Sequence, residues 1–478
     1  MLDQVPSQVN NQRQGKLLKK SKFLLVLVLF LITLLGCQRE PENLEGVSIT
    51  ETSTSKAVAA MPSATLEVVE SSTPLITSTA EPTRALATVK ATQISTVEAT
   101  QAPPTATPDH PPASHFNVGV ADRMASDCSP DYPCNDDVDG WESRMRVPPG
   151  FEATYFARVD GKPTTITVGP NGNLYVAVVT GEIYTVDSTG QVDEFFQGLI
   201  VPTGLVFQPG SERLYVSSRL IDDYVAGEGQ VAYIEDGQLT QVLTGLPCCY
   251  LGMHGPNGIS FGPDGFGYVG VGGRADHGEI LIPPNDGQQD ELHPFEASIL
   301  RFSPDGENVE VYAKGFRNPY DNTWDIEGRL YATDNGRDGS SDEEAPPDEL
   351  HEVIPGGEHG YPYYECPDCF GIPEGLEVIP PLIELIPHSA VAGITTYLHD
   401  AFPGYYNDLF LVLWSAFPGA QKVQRVGRDR AEISDFATGF AAPIDIVVGT
   451  DGNLYVADFA TGIIFQISYT GDSSDNSS

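Results

Sequence analysis

His254 stands in the stretch Cys248–Gly265, CCYLGMHGPNGISFGPDG, behind two adjacent cysteines and ahead of a glycine-rich turn. Imidazole has the proton affinity nearest neutral pH, so a lone histidine here suits proton transfer. The same residue also suits a loop histidine satisfied by backbone partners. Cys248 and Cys249 could form a vicinal disulfide that stiffens the approach to it. Two further groups carry usable chemistry: Arg317-Asn318, and Asp334-Asn335-Gly336-Arg337. A guanidinium beside a carboxamide either binds an anion or staples two elements by an ion pair. An aspartate followed by free carbonyls either ligates a hard cation or makes an ordinary turn. His388-Ser389 mimics a base and its nucleophile. Adjacent residues of a strand point to opposite faces, and no Gly-x-Ser-x-Gly elbow occurs, so a hydrolase of that type is excluded.

The elements around these residues repeat one phrase: a short apolar strand, a turn of Gly, Pro, Asn or Asp, then Leu-Tyr-Val or a variant. It occurs in TITVGPNGNLYVA from Thr165, GLVFQPGSERLYVSS from Gly204 and GISFGPDGFGYVGVGG from Gly258. NTWDIEGRLYATDNG from Asn322 and DIVVGTDGNLYVADFATGIIFQI from Asp445 repeat it, with a looser copy from Gly393. Each copy reads as a β-hairpin, with Asp-Gly or Asn-Gly supplying the positive φ of the turn. The second strands begin at Leu174, Leu214, Gly267, Leu330, Leu409 and Leu454, roughly 55 residues apart on average. Repeats of that size with several strands each predict an all-β, six-bladed β-propeller over residues 147–470. A propeller gathers blade-entry loops at one mouth of its channel. His254, Arg317-Asn318, Asp334–Arg337 and Ser389 all lie just before a first strand or just after a second one.

The ends of the chain point to export. A basic segment from Arg13 to Lys22 precedes an apolar run, FLLVLVLFLITLL, which ends in Leu-Leu-Gly-Cys at Cys37. The run is short for a spanning helix, which needs about 20 residues, and suits a signal peptide. Its ending resembles the bacterial lipobox, so residues 1–36 read as a lipoprotein signal with Cys37 as the lipidated first residue. Residues 37–114 read as a disordered stalk, since from Val47 to Ser114 there is no Gly, Phe, Tyr or Trp. Residues 115–146 form an N-terminal extension and 471–478 a tail. The expected location is extracytoplasmic, at the cell surface or in the periplasm, tethered to the membrane by lipid. The six remaining cysteines fit an oxidising compartment. Cys128 with Cys134 and Cys366 with Cys369 are the simplest local pairs, beside Cys248 and Cys249. The balance of 26 basic against 66 acidic residues, a net charge of −40, excludes nucleic acid as a partner.

At the quoted residues the chain resembles the glucose/sorbosone dehydrogenases, six-bladed propellers related to the soluble pyrroloquinoline quinone (PQQ) glucose dehydrogenase. The likeness runs from about Val147 to Tyr469. It rests on VPPGFEATYFARV, HGPNGISFGPDG, AKGFRNPYDNTWD, TDNGRDG and DELHEVIPGGEHGYP, then HSAVAGITTY and YVADFATGIIFQISY, in that order. His351 and Tyr361 stand where the family usually has Asn and Trp. The resemblance implies oxidation of a sugar or alcohol, with electrons passing to a soluble or membrane acceptor. His254 would take the hydroxyl proton as hydride passes to PQQ, and Arg317 with Asn318 would hold the quinone end. Two backbone carbonyls, those of Gly336 and Arg337, would bind the cofactor's Ca²⁺, and Glu349 a second, structural Ca²⁺.

Departures from the family fall on the last two blades, which usually supply further cations to the cofactor. After the fifth repeat this chain reads LWSAFPGAQKVQRV, where Lys422 is the nearest candidate, and Ala441-Ala442-Pro443 replaces a Gly-Arg-Pro phrase. Met253 precedes the histidine where an acidic residue is common. Two alternatives therefore stand beside the dehydrogenase: a catalytically silent propeller that binds carbohydrate or protein, and a metal-dependent, lactonase-like propeller.

Overall fold

The computed structural model describes residue 113 and residues 138–223, 227–249, 254–282, 284–338, 346–364, 371–415, 417 and 419–471. Cys37, Cys128, Cys134, Cys366 and Cys369, with the signal and stalk, lie outside the described residues. Among the described residues no helix is long and apolar enough to cross a membrane. The one α-helix among them, α1 (Val138–Glu142), leads into the first strand.

Twenty-four strands among the described residues form six four-stranded antiparallel sheets. The first blade starts on β2 (Pro163–Val168), the second on β6 (Ile200–Phe207) and the third on β10 (Pro256–Phe261). The fourth starts on β14 (Pro319–Trp324), the fifth on β18 (Val391–Thr396) and the sixth on β22 (Pro443–Val448). These six starting strands touch one another in ring order, the first against the last, so they line a central channel. The fold is the six-bladed propeller expected from the repeats. Each second strand begins at the residue read from the phrase: Leu174, Leu214, Gly267, Leu330, Leu409 and Leu454.

The sequence phrase did not show how the ring closes. Only three strands of the sixth blade come from the C-terminal repeat; β1 (Phe151–Arg158) supplies the fourth, pairing with β24 (Ile463–Tyr469). The opening phrase VPPGFEATYFARV is thus the last strand of the last blade. Blades pack face to face, so second strands such as LYVAV at 174–178 and LFLVL at 409–413 are buried at every position. That explains continuous apolar runs where a one-sided sheet would alternate. Each buried Val or Leu contributes about 1.5–3 kcal/mol.

Crowding at the axis is resolved by pairing carboxylates with glycines. Asp321 accepts a hydrogen bond from Ile394 N of the fifth blade (2.9 Å), and Asp445 from Ile166 N of the first (2.8 Å). A Cβ on Gly258 or Gly393 would collide with the carboxylates of Asp321 and Asp445 respectively. Burial raises the proton affinity of both carboxyls, Asp445 to about 7 and Asp321, which also faces the Asp445 charge, well above the usual carboxylate range. Each carboxyl also receives two backbone N–H groups, Asp445 from Ile166 and Ile446 and Asp321 from Ile394 and Asn322, which partly offset the effect of burial. Above this pair Tyr320 crosses the channel from the fourth blade to the first, its hydroxyl donating to the Thr164 carbonyl at 3.1 Å.

Candidate functional site

Four blades enter the channel through a shared frame of two residues and a proline: Gly161-Lys162-Pro163, His254-Gly255-Pro256, Arg317-Asn318-Pro319 and Ala441-Ala442-Pro443. Each proline opens a channel-lining strand. The ring lacks a free N–H and fixes φ, so it ends the preceding loop and starts the strand at one defined point. The two residues before it therefore sit at the same level of the mouth in each blade.

His254 and Asn318 converge there. A Cβ on Gly272, just after the second strand of the third blade, would lie 2.6 Å from Asn318 Oδ1 and 3.4 Å from His254 Cα. Only a glycine lets three chain segments meet so closely. Asn257 Nδ2 donates to Asn318 Oδ1 (2.8 Å) and the Pro319 carbonyl (3.3 Å), which leaves its buried Oδ1 without a partner among the described residues.

His254 is buried, and its Nδ1 lies 2.8 Å from the Gly273 carbonyl. A carbonyl only accepts, so Nδ1 carries the proton and Nε2 is the acceptor. Burial, reinforced by the nearby charge of Arg317, lowers the imidazole to about 3, so it is neutral at ordinary pH. The loop behind it is tied down: Cys249 N donates to the His254 carbonyl at 3.0 Å, and Cys248 packs against Gly255. Cys248 and Cys249 are positioned as a vicinal disulfide, with Cα atoms 3.7 Å apart.

Arg317 is 4% exposed and held on several sides. Its Nε and a terminal nitrogen contact Asp276 Oδ1 at 2.9 and 2.7 Å, and another terminal nitrogen donates to the Asn335 carbonyl at 3.2 Å. Asp334, at the end of β15 (Leu330–Asp334), receives the backbone N–H groups of Arg317 (2.9 Å) and Asn318 (2.6 Å). Asp276 and Asp334 thus fix the guanidinium and the backbone that carries it. Neither role is visible in the sequence, because Asp276 lies outside every repeated phrase.

Behind Asp334 lies a buried acidic group. Gly336 N donates to Asp348 Oδ1 (3.0 Å), and Asp348 Oδ2 accepts from Ser389 Oγ (2.9 Å). Ser389 is therefore a strut between two blades. Glu349, first in β16 (Glu349–Val353), is raised to about 8 by burial and then by the charges of Glu384 and Asp348. Its Oε2 lies 2.9 Å from His351 Nε2, and His351 Nδ1 lies 3.2 Å from His359 Nδ1. Asp334, Glu349 and His351 bring ligand atoms within 4.8 Å of one another. Gly336 is buried and Arg337 half-buried directly after the Asn335 carbonyl that Arg317 holds. Lys422 lies apart from these residues: it opens β20 (Lys422–Val426) and its Nζ contacts Asp435 at 2.6 Å.

Comparison with known proteins agrees with this picture. Residues 235–465 match the family described as Glucose / Sorbosone dehydrogenase. The resemblance read from the motifs is borne out over that span, which holds His254, Arg317, Asn318, Glu349 and Lys422. Among solved structures, the PQQ-bound aldose sugar dehydrogenase of Streptomyces coelicolor superposes with a TM-score of 0.51 at 19% identity. It covers 67% of this chain and 99% of its own. The soluble aldose sugar dehydrogenase of Escherichia coli, in its apo form, gives 0.53 at 18% identity with the same coverage. At such identities these likenesses speak for the fold. An uncharacterized protein of Borreliella burgdorferi is 25% identical over 363 residues, 68% of this chain and 91% of its own length. The chain has the fold of the sugar-dehydrogenase propellers.

Proposed function

We propose that the mouth binds a PQQ-type quinone and that the protein oxidises a hydroxyl of a sugar or alcohol. The observation that carries this reading is the neutral, buried imidazole of His254, with Nδ1 committed to Gly273 and Nε2 left as an acceptor, beside a buried guanidinium. Bound quinone supplies the electron sink that takes the substrate hydride. His254 Nε2 takes the hydroxyl proton, Asn318 orients ligand beside it, and Arg317 offsets negative charge that develops at the ring. The buried guanidinium and the Asn318 carboxamide suit an anionic ligand, while the Asn257 oxygen, unpartnered among the described residues, can only accept a hydrogen bond from it. Carbonyls of Gly336 and Arg337 would hold the cofactor's Ca²⁺, and Glu349 a second ion. Asp334 and His351 beside it give that second site a mixed oxygen–nitrogen set, which a borderline metal tolerates better than Ca²⁺ does.

The proposed setting is outside the cytoplasm, on a lipid anchor at Cys37 with electrons leaving to a soluble or membrane acceptor. A second reading, a silent carbohydrate- or protein-binding propeller, is favoured by one observation: Lys422 is committed to Asp435, and Ala441-Ala442 offers no cation. PQQ and Ca²⁺ reconstitution separates the two, with dye reduction followed over a panel of aldoses and alcohols. The dehydrogenase reading requires PQQ binding and activity lost by at least about a hundredfold in His254→Ala. It also requires kcat/KM to show no acid limb from this base between pH 5 and 8. No PQQ binding at micromolar concentration favours the silent propeller.

A further inference from the structure

A second cationic wall faces the same mouth from the opposite side. Between the sixth and first blades lies a cavity of about 490 Å³ whose lining includes Tyr155, Arg158, Asp160, Lys162, Ala460 and Thr461. Arg158 ends β1, and its Nε donates to the Thr461 carbonyl at 3.0 Å. Lys162 precedes Pro163, so Gly161-Lys162-Pro163 falls in the same frame as Arg317-Asn318-Pro319, with Lys162 in the Asn318 place. The Nζ of Lys162 lies 5.2 Å from the centre of the Phe459 ring, and Phe459 packs edge-on to Trp414 at 5.6 Å. Those two aromatics directly follow the second strands of the sixth and fifth blades, so they too stand at this mouth.

The distance across is short. The Tyr320 hydroxyl, three residues beyond Arg317, reaches the carbonyl of Thr164, two residues beyond Lys162. One tyrosine side chain therefore spans the gap between the first and fourth blades just below the level of Lys162 and Arg317. A chain of net charge −40 repels small anions at long range. Local cations are thus needed to retain one, and here an arginine and a lysine line one cavity, with Asp160 the one carboxylate among its described lining residues.

We propose that the Arg158–Lys162 cavity is a carboxylate-binding subsite that holds the far, anionic end of a ligand whose reacting end lies at His254 and Arg317. The subsite rests on the dehydrogenase reading of the mouth. The carboxylate belongs either to the quinone or to an acidic sugar, and one set of variants distinguishes them. PQQ is titrated into the full chain with Ca²⁺, by calorimetry, for wild type, Lys162→Met, Lys162→Arg and Arg158→Gln. D-glucuronate is titrated in parallel with D-glucose as the neutral control. Loss of a partly exposed charge-assisted contact predicts a Kd raised by roughly three- to tenfold for Lys162→Met and Arg158→Gln, largely rescued in Lys162→Arg and shrinking at high salt. A shift confined to PQQ assigns the carboxylate to the cofactor, and one confined to glucuronate assigns it to the substrate. Unchanged Kd values for both ligands overturn the subsite. Wild-type chain that binds glucuronate through Lys162 but never PQQ retains the subsite and refutes the quinone reading; wild type that binds neither refutes both.

Discussion

Replacing Asp321 with asparagine should remove one destabilising contribution to the change in stability as pH rises above 5. In the folded chain the affinity of the Asp321 carboxyl for its proton is raised by burial and then by the Asp445 charge. Unfolded, the same carboxyl releases its proton near pH 4. At this carboxyl the folded state therefore binds one more proton than the unfolded state above pH 5, and its contribution to stability falls as pH rises, until the folded carboxyl itself ionises. One such proton sets a slope of about 1.4 kcal/mol per pH unit wherever the folded carboxyl still holds it. Asp445, raised to about 7, and Glu349, raised to about 8, hold protons over much of the same range. His254, His351 and His359, each lowered to about 3, contribute with the opposite sign below about pH 6.5, so the wild-type slope sums both effects and the variant removes one proton's share from it. Asparagine retains an oxygen for the Ile394 N–H and places an amide where the protonated hydroxyl was. Urea unfolding midpoints at pH 5, 6 and 7, at constant ionic strength, provide the assay. Parallel pH slopes for wild type and variant would refute the raised proton affinity of Asp321, whatever their absolute stabilities.

Asp334→Ala leaves the backbone N–H groups of Arg317 and Asn318 without their buried acceptor, at a cost of about 2–4 kcal/mol. Thermal unfolding should show the loss, and calorimetric PQQ titration should weaken with it; an unchanged melting temperature would contradict the capping role. Non-reducing peptide mapping should recover Cys248 and Cys249 in one peptide, lighter than its reduced form by the two thiol hydrogens. Either cysteine linked to a distant partner would exclude the vicinal pairing.

The hairpin phrase made the architecture legible because every blade obeys the same local rules. Glycine and asparagine set each turn, and a Leu-Tyr-Val strand buried on both faces follows it. The site was legible only where a residue sits next to such a phrase. His254 and Arg317 precede a proline that opens a channel strand, and Asp334 ends a second strand. Asp276, which holds Arg317, lies in an irregular segment after the third blade's second strand, and no local pattern points to it. Tyr320 and the Asp321–Asp445 pair were hidden for another reason. Their partners are 156 and 73 residues away or lie across the axis, and such pairings emerge only when the ring closes. Lys162 did carry a signal, the two-residue-and-proline frame shared with Arg317-Asn318, but that frame becomes visible only once the inner strands are aligned. Lys422 shows the converse, since a cation at a plausible sequence distance is engaged by a neighbouring strand.

Tyr320 has a consequence for traffic. By crossing the channel from the fourth blade to the first, its side chain obstructs the passage from the mouth to the far face. For a dehydrogenase working there, sugar must arrive, and oxidised product depart, through one doorway, and the electron acceptor must use that same opening. The two half-reactions have to take turns. Steady-state rates at several fixed acceptor concentrations then give parallel double-reciprocal lines, the kinetic mark of an enzyme that releases its first product before admitting its second substrate.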